Sequence, residues 1–264
     1  MNIIVCIKQV PETGNVRIDP QTHTLIRSGV PSIINPMDTY AIEEALRWKE
    51  KLGASTTVLT MGPPQAEGAL KEAISMGIDH GILLSDKKFA GSDTYATAYT
   101  LALAVRKLAP YDLIFCGKQA IDGDTAQVGP GLAEHLGIAH IAYVKKIEEI
   151  DRDGALVRAE RLMEDGYEIV NIRMPCLLTV VKEINEPRFP SLKGKMRARK
   201  LEIPTWSAED LEAGEMENFG LSGSPTQVRT IFPPPARGKG EIFGGEASVM
   251  AQTLLERLKA QKVI

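Results

Sequence analysis

Continuous apolar, β-branched runs occupy residues 2–7, 55–61, 81–85 and 112–116, and amphipathic segments lie between them. Runs of that length predict strands covered on both faces, and their alternation with helical segments predicts βαβ units around a parallel sheet. Residues 39–52 place Ile42, Ala45, Leu46 and Leu52 at helical spacing and stop at Gly53. Pro63 and Pro64 open a second helix, whose Ala66, Ala69, Leu70, Ala73 and Ile74 form one stripe before Gly77. A third helix runs from about Ser92 to Leu108 and is stopped by Pro110.

The pattern changes near Ile138. Residues 141–150, 156–162, 167–172 and 176–181 are β-rich pieces separated by acidic turns such as 151–154, which predicts hairpins rather than further crossovers. From Asn185 onward periodicity is lost, prolines recur at 187, 190, 204 and 233–235, and a helix returns only at about 246–262. The expected architecture is an α/β fold with an open, mostly parallel sheet flanked by helices over residues 1–184. Residues 185–264 then form an extended C-terminal arm that packs on something else.

Composition narrows the function classes. The chain has 264 residues, 31 basic and 34 acidic, with a net charge of −3, so nothing draws it as a whole to nucleic acid or an anionic membrane. Hydrophobic residues at 44% and charged residues at 25% exclude a disordered or fibrous chain. Met1 leads directly into an apolar strand with no basic n-region, and no apolar stretch is long enough to span a bilayer, so a soluble cytoplasmic protein without membrane insertion is expected. Cys6, Cys116 and Cys176 sit in apolar runs without C-x-x-C spacing and read as buried, reduced thiols.

The phosphate-loop, nucleophile-elbow and zincin motifs are absent, and Gly238, Gly240 and Gly244 follow a proline run instead of a strand. His23, His80, His135 and His140 are scattered, and the spacing of the last two suits no shared metal-ligand face. No catalytic side chain and no metal ligand is assigned. The informative segment is Gly117, Lys118, Gln119, Ala120, Ile121, Asp122, Gly123, Asp124, Thr125, Ala126, Gln127 and Val128, which leaves the C-terminal end of the strand at 112–116. Ligands of open α/β sheets bind at that edge. Gly117 and Gly123 allow close backbone approach, and Pro130 suits the first turn of a helix reaching to about Gly137, whose free N–H groups favour a phosphate. A nucleotide cradle and an acidic loop whose Asp122 and Asp124 cap a helix both fit this spacing. Cys6, Asn35, Met37, Asp38 and Met61 lie at other strand–helix junctions and should reach the same crevice, with Asp38 as a helix N-cap. Further on, Phe189 and Leu192 precede five cations within residues 193–200, which fits either docking on an acidic, partly apolar partner or a solvated loop.

Together these segments resemble the beta (small) subunit of electron transfer flavoproteins along essentially the whole chain. The likeness rests on the opening 5–10, on Asn35 and Pro36 leading into 41–46, on the loop 117–127, on 185–188 and on 196–200. The loop, with Gly123, Thr125, Ala126 and Val128, looks like that of the NADH-dependent, electron-bifurcating members, which hold FAD where other members hold structural AMP. The resemblance implies a heterodimer with an alpha (large) subunit, and NADH-oxidising flavin activity only in that heterodimer. Electrons would pass to ferredoxin or flavodoxin and, through the larger subunit's FAD, to an acyl-CoA dehydrogenase-type flavoenzyme. It places Cys6, Asn35, Met37, Asp38, Met61 and residues 117–128 at the nucleotide and Leu192 at the dehydrogenase. A non-bifurcating subunit with AMP and a stand-alone adenine-nucleotide-binding regulatory module are the competing readings.

Overall fold

A computed structural model of the chain describes residues 1–12, 17–18, 25–26, 31–211, 215–230 and 240–264. His23, Pro233, Pro234, Pro235 and Gly238 lie outside the described residues. In chain order the elements are β1 (Asn2–Cys6), β2 (Gln9–Pro11), β3 (Arg17–Ile18), β4 (Leu25–Ile26), β5 (Ser32–Ile34), α1 (Pro36–Leu52), β6 (Ser55–Met61), α2 (Glu67–Met76), β7 (His80–Leu84) and α3 (Thr94–Lys107). They continue with β8 (Leu113–Gly117), α4 (Val128–Leu136), β9 (Ala139–Asp151), β10 (Leu156–Met163), β11 (Gly166–Arg173), β12 (Cys176–Val180), α5 (Leu192–Lys200), β13 (Thr205–Trp206) and α6 (Ala247–Ala260). The chain forms two units, Met1–Arg229 and Thr230–Ile264.

The first unit is built on a nine-stranded sheet in the order β11-β10-β9-β12-β8-β1-β6-β7-β13. Every pairing from β9 to β13 is parallel, and β9, β10 and β11 form an antiparallel meander at one edge. Consecutive strand residues point to opposite faces, so β1 sends Val5 toward one helical layer and Ile4 toward the other. Val5, Val58 and Phe115 bury against Ile42, Leu46 and Leu70 of α1 and α2. Ile4, Leu59 and Ile114 bury against Leu101, Val105 and Leu132 of α3 and α4. The mixed α/β class with a mostly parallel sheet flanked by helices is as the hydrophobic pattern predicts.

Four features depart from that pattern. Helix α1 starts at Pro36, which its fixed φ suits for a first turn, so Asp38 stands inside the helix and Asn35 occupies the cap position. The segment 176–181 does not close a hairpin: β12 inserts between β8 and β9, parallel to both, because Cys176, Leu177, Leu178, Thr179 and Val180 are all buried and only a central strand covers both of its faces. Residues 185–229 lie in the first unit, where β13 adds an edge strand to β7. Within that stretch, α5 forms where periodicity was absent. Its Ser191 hydroxyl accepts the Gly194 N–H at 2.9 Å, and Arg197 donates to the Ile78 and Asp79 carbonyls beyond the end of α2.

Strand β9 is irregular in a way that bears on the site. Its buried residues are Ile141, Val144, Ile147 and Ile150, a period of three instead of two. Register breaks account for it: one against β12 between Leu178 and Val180, and two against β10, between Arg158 and Ala159 and between Glu160 and Arg161. Each bulge adds a residue and returns the next apolar side chain to the core. The first bulge holds Tyr143 at φ 63°. A left-handed conformation costs a bulky residue on the order of 1–2 kcal/mol.

Candidate functional site

Strands β1, β6 and β8 run parallel, so their C-terminal ends share one edge of the sheet. At that edge Cys6 lies in register with Cys116 on β8 and Leu59 on β6, and Met61 ends β6. Gly117 ends β8 directly against the first turn of α1, and residues 118–127 cross from there to α4.

Asn35 fixes this loop. Its buried side chain donates Nδ2 to the Gln119 carbonyl at 2.8 Å and accepts the Ile121 N–H on Oδ1 at 3.1 Å. A single amide therefore satisfies a donor and an acceptor of the loop backbone, which a loop without regular structure needs if it is to hold one conformation. Further ties come from the side chains. Lys8 Nζ meets Asp122 Oδ1 at 2.6 Å, Gln119 Nε2 donates to Asp124, and the hydroxyls of Thr94 and Thr125 lie 3.3 Å apart. Asp124 and Ala126 both take φ 55°, outside the usual range for residues with a side chain. Strain of this kind persists where the surroundings over-determine it, and it clusters at ligand clamps.

The electrostatics differ from those of a merely acidic loop. Asp122 is neutralised by Lys8, and Asp124 accepts a hydrogen bond. Asp38 does not cap α1. Its carboxylate accepts the Lys8 N–H at 2.7 Å, and burial raises its pKa to about 7 against the opposing hydrogen bonds from Lys8, Asn35 and Gly117. Lys118 has no carboxylate within ion-pair distance among the described residues, and its Nζ sits 5.1 Å from the Tyr143 ring centroid. Cys116 and Cys176 remain protonated: a hydrogen bond with Cys6 and burial push Cys116 up, and burial pushes Cys176 up to about 12.

The structure thus gathers Cys6, Asn35, Met37, Asp38, Met61 and the loop 117–128 at one edge. It sets Leu192 apart on α5, which packs along α2, away from that edge. Leu192 is 77% exposed, with Phe189 at 93% and Met196 at 56% beside it in the chain. Lys8, Thr94 and Tyr143 were not singled out from sequence. The signal for Tyr143 was present in the period-three spacing of Ile141, Val144, Ile147 and Ile150. His135 packs edge-on to Tyr95 and Tyr99, with ring centroids 5.0 and 5.7 Å away.

An open, mostly parallel sheet with helices on both faces and a fixed, strained loop at its C-terminal edge defines a layered α/β protein of the class whose ligands bind at that edge. Comparison with known proteins specifies which. The electron transfer flavoprotein domain matches residues 22–211. The chain is 54% identical to electron transfer flavoprotein subunit beta of Thermoanaerobacterium thermosaccharolyticum over 265 residues and 48% identical to that of Clostridium acetobutylicum over 264, with 100% of both chains covered in each case. It is 48% identical over 266 residues, again covering 100% of both chains, to the caffeyl-CoA reductase-Etf complex subunit CarD of Acetobacterium woodii. The chain belongs to the electron transfer flavoprotein family, as one of its beta subunits, and its function is electron transfer. No helix among the described residues is long and apolar enough to cross a membrane.

Proposed function

We propose that this chain is the beta subunit of a bifurcating electron transfer flavoprotein heterodimer and holds FAD at the loop 117–128. Bound there, FAD would supply acceptance of a hydride from NADH and one-electron delivery, to ferredoxin or flavodoxin and, by way of the larger subunit's FAD, to an acyl-CoA dehydrogenase-type flavoenzyme. The observation that carries the reading is the Asn35-clamped loop with left-handed Asp124 and Ala126 before the open N-terminus of α4. These residues fit a nucleotide: exposed backbone precedes a helix start, and the carboxylates of the loop are already partnered. Gly123, Thr125, Ala126 and Val128 favour FAD over AMP by their likeness to the NADH-dependent members, and the reductase-complex name of the Acetobacterium woodii relative supports such a partner.

The chain's own residues bind and orient. Asn35 holds the loop backbone, Lys8 removes the charge of Asp122, and Cys6, Met37 and Met61 line the edge. The three buried free thiols fit a reducing compartment such as the cytoplasm. The unit Thr230–Ile264, with α6, serves the larger subunit. Denaturing extraction of the co-purified pair is expected to release two FAD per heterodimer. One FAD with one AMP would overturn the bifurcating reading and leave a non-bifurcating carrier, and release of no flavin from a monomeric chain would leave a regulatory module.

Leu192 docks the dehydrogenase. Leu192→Ala is expected to weaken electron delivery to that partner by about 2 kcal/mol, roughly 30-fold, while NADH-dependent flavin reduction is unchanged. Loss of both activities in stopped-flow measurements would contradict a docking role.

A further inference from the structure

Lys118 follows β8 at the start of the loop, and among the described residues no carboxylate pairs with it. The other charges nearby are accounted for: Lys8 pairs with Asp122, Gln119 donates to Asp124, and Asp38 is buried against the Lys8 N–H. Lys118 is therefore the one cation of the loop that an incoming anion would meet unneutralised. A lysine side chain is long and flexible, so a free ammonium at a strand end recognises little unless something holds it. What faces it is the Tyr143 ring, 5.1 Å from Nζ to centroid, within cation–π range.

Tyr143 reaches that position only through a strained backbone. It sits at φ 63° in the bulge where β9 loses register with β12, and its N–H is held by the hydroxyl of buried Thr179 at 3.1 Å instead of by a strand carbonyl. Thr179 also touches the first turn of α4, where a Cβ on Gly129 would lie 2.5 Å from its methyl group. The bulge, the start of α4 and the lysine are thus tied together at one edge of the sheet. A glycine or asparagine would adopt this φ at lower cost, so the backbone alone gives no reason for a tyrosine.

We infer that Lys118 is the phosphate-recognising cation of the nucleotide site and that Tyr143, held left-handed by the β9 bulge and Thr179, is the positioning residue that presents it. This rests on the nucleotide reading of the loop and adds the group that distinguishes a nucleotide from its nucleoside. The test is calorimetric titration of the nucleotide-free full chain with AMP and with adenosine, which differ only in the phosphate. Lys118→Met is expected to weaken AMP binding about tenfold and to leave adenosine unchanged. Tyr143→Asn keeps a residue that tolerates φ above zero and removes the ring; it should reproduce most of the loss for AMP alone. Tyr143→Phe should restore it, because the phenyl face suffices for the cation. If AMP binds and Lys118→Met binds it as tightly as the wild type, the cation assignment is overturned. A full loss in Lys118→Met with none in Tyr143→Asn overturns the positioning role, as does equal weakening of AMP and adenosine in Tyr143→Asn. If neither AMP nor FAD binds the wild-type chain, the nucleotide reading itself falls.

Discussion

Gly117→Ala is expected to lower the melting temperature by roughly 6–10 °C, equivalent to about 3 kcal/mol for a unit of this size, and to strip the purified protein of bound nucleotide. A Cβ at this position would lie 2.3 Å from Asp38 Oδ1, 2.6 Å from the Met37 carbonyl carbon and 2.8 Å from the Asp38 nitrogen. Two of those atoms are main chain in the first turn of a helix, so no rotamer change relieves the overlap. The strand cannot retreat either, because β8 is paired on both sides, to β1 and β12. Either α1 or the end of β8 must move. Any such move shifts Asn35 relative to Gln119 and Ile121 and releases the loop. Gly123→Ala is the control: its Cβ would meet nothing within 4 Å, so its melting temperature should match the wild type. Scanning calorimetry and the absorbance of released cofactor read both effects. Equal behaviour of the two variants would show that the close approach of β8 to α1 is not what forms the site.

The same few residues show how far the sequence carries. The strands at 2–7, 55–61, 81–85 and 112–116 were legible because burial on both faces leaves unbroken apolar runs, and the observed strands differ by only a residue or two. The loop 117–128 and Asn35 were legible because glycines and a prolyl helix start mark a strand–helix junction. The ties between them were not, since the Asn35 bonds to 119 and 121 span more than eighty residues and leave no local trace. Helix α5 is not legible in the sequence for a different reason. It contains Gly194 and five cations and buries only Ala198, so it has no apolar stripe to read. The glycine that argues against a helix locally is needed globally, because a Cβ there would lie 2.0 Å from the Ser75 carbonyl oxygen on α2. The segment from Asn185 to Arg229 lacked periodicity because it is anchored to the first unit by polar bonds and a short edge strand. Asn185 donates to the Tyr40 carbonyl and to Glu44, each at 3.0 Å, and Ser224 and Thr226 bond to Asp93 at the start of α3. Glu43 and Glu44 would pass for a solvated helix face, yet both are buried.

Removing the anchor at Glu43 tests that account. Arg188 meets the Glu43 carboxylate with Nε at 2.8 Å and Nη2 at 2.9 Å, adds its own backbone N–H at 3.1 Å, and also pairs with Glu50. Glu43 raises the already high pKa of the guanidinium further, so the cation is permanent. Arg188→Ala leaves a carboxylate that is 5% exposed without its counter-charge, and a buried ion deprived of its partner typically costs about 3–5 kcal/mol. Arg188→Lys should fall between the two, because an ammonium keeps the charge and loses the two-pronged geometry. Loss of the anchor should also free the segment that presents Phe189 and Leu192, so limited proteolysis is expected to cut near residue 190 in the alanine variant before the core unfolds. Acid supplies an independent check. The hydrogen bond from Arg188 holds Glu50 below its ordinary 4.5, so its small, solvent-screened contribution is present above that pH and is lost as pH falls through the lower native value. The stability gap between wild type and Arg188→Ala should therefore narrow on acidification below about 4.5. A gap that stays constant down to pH 3 would show that the Glu50 pair contributes nothing measurable and leave the loss to Glu43 and to packing of the arginine stem.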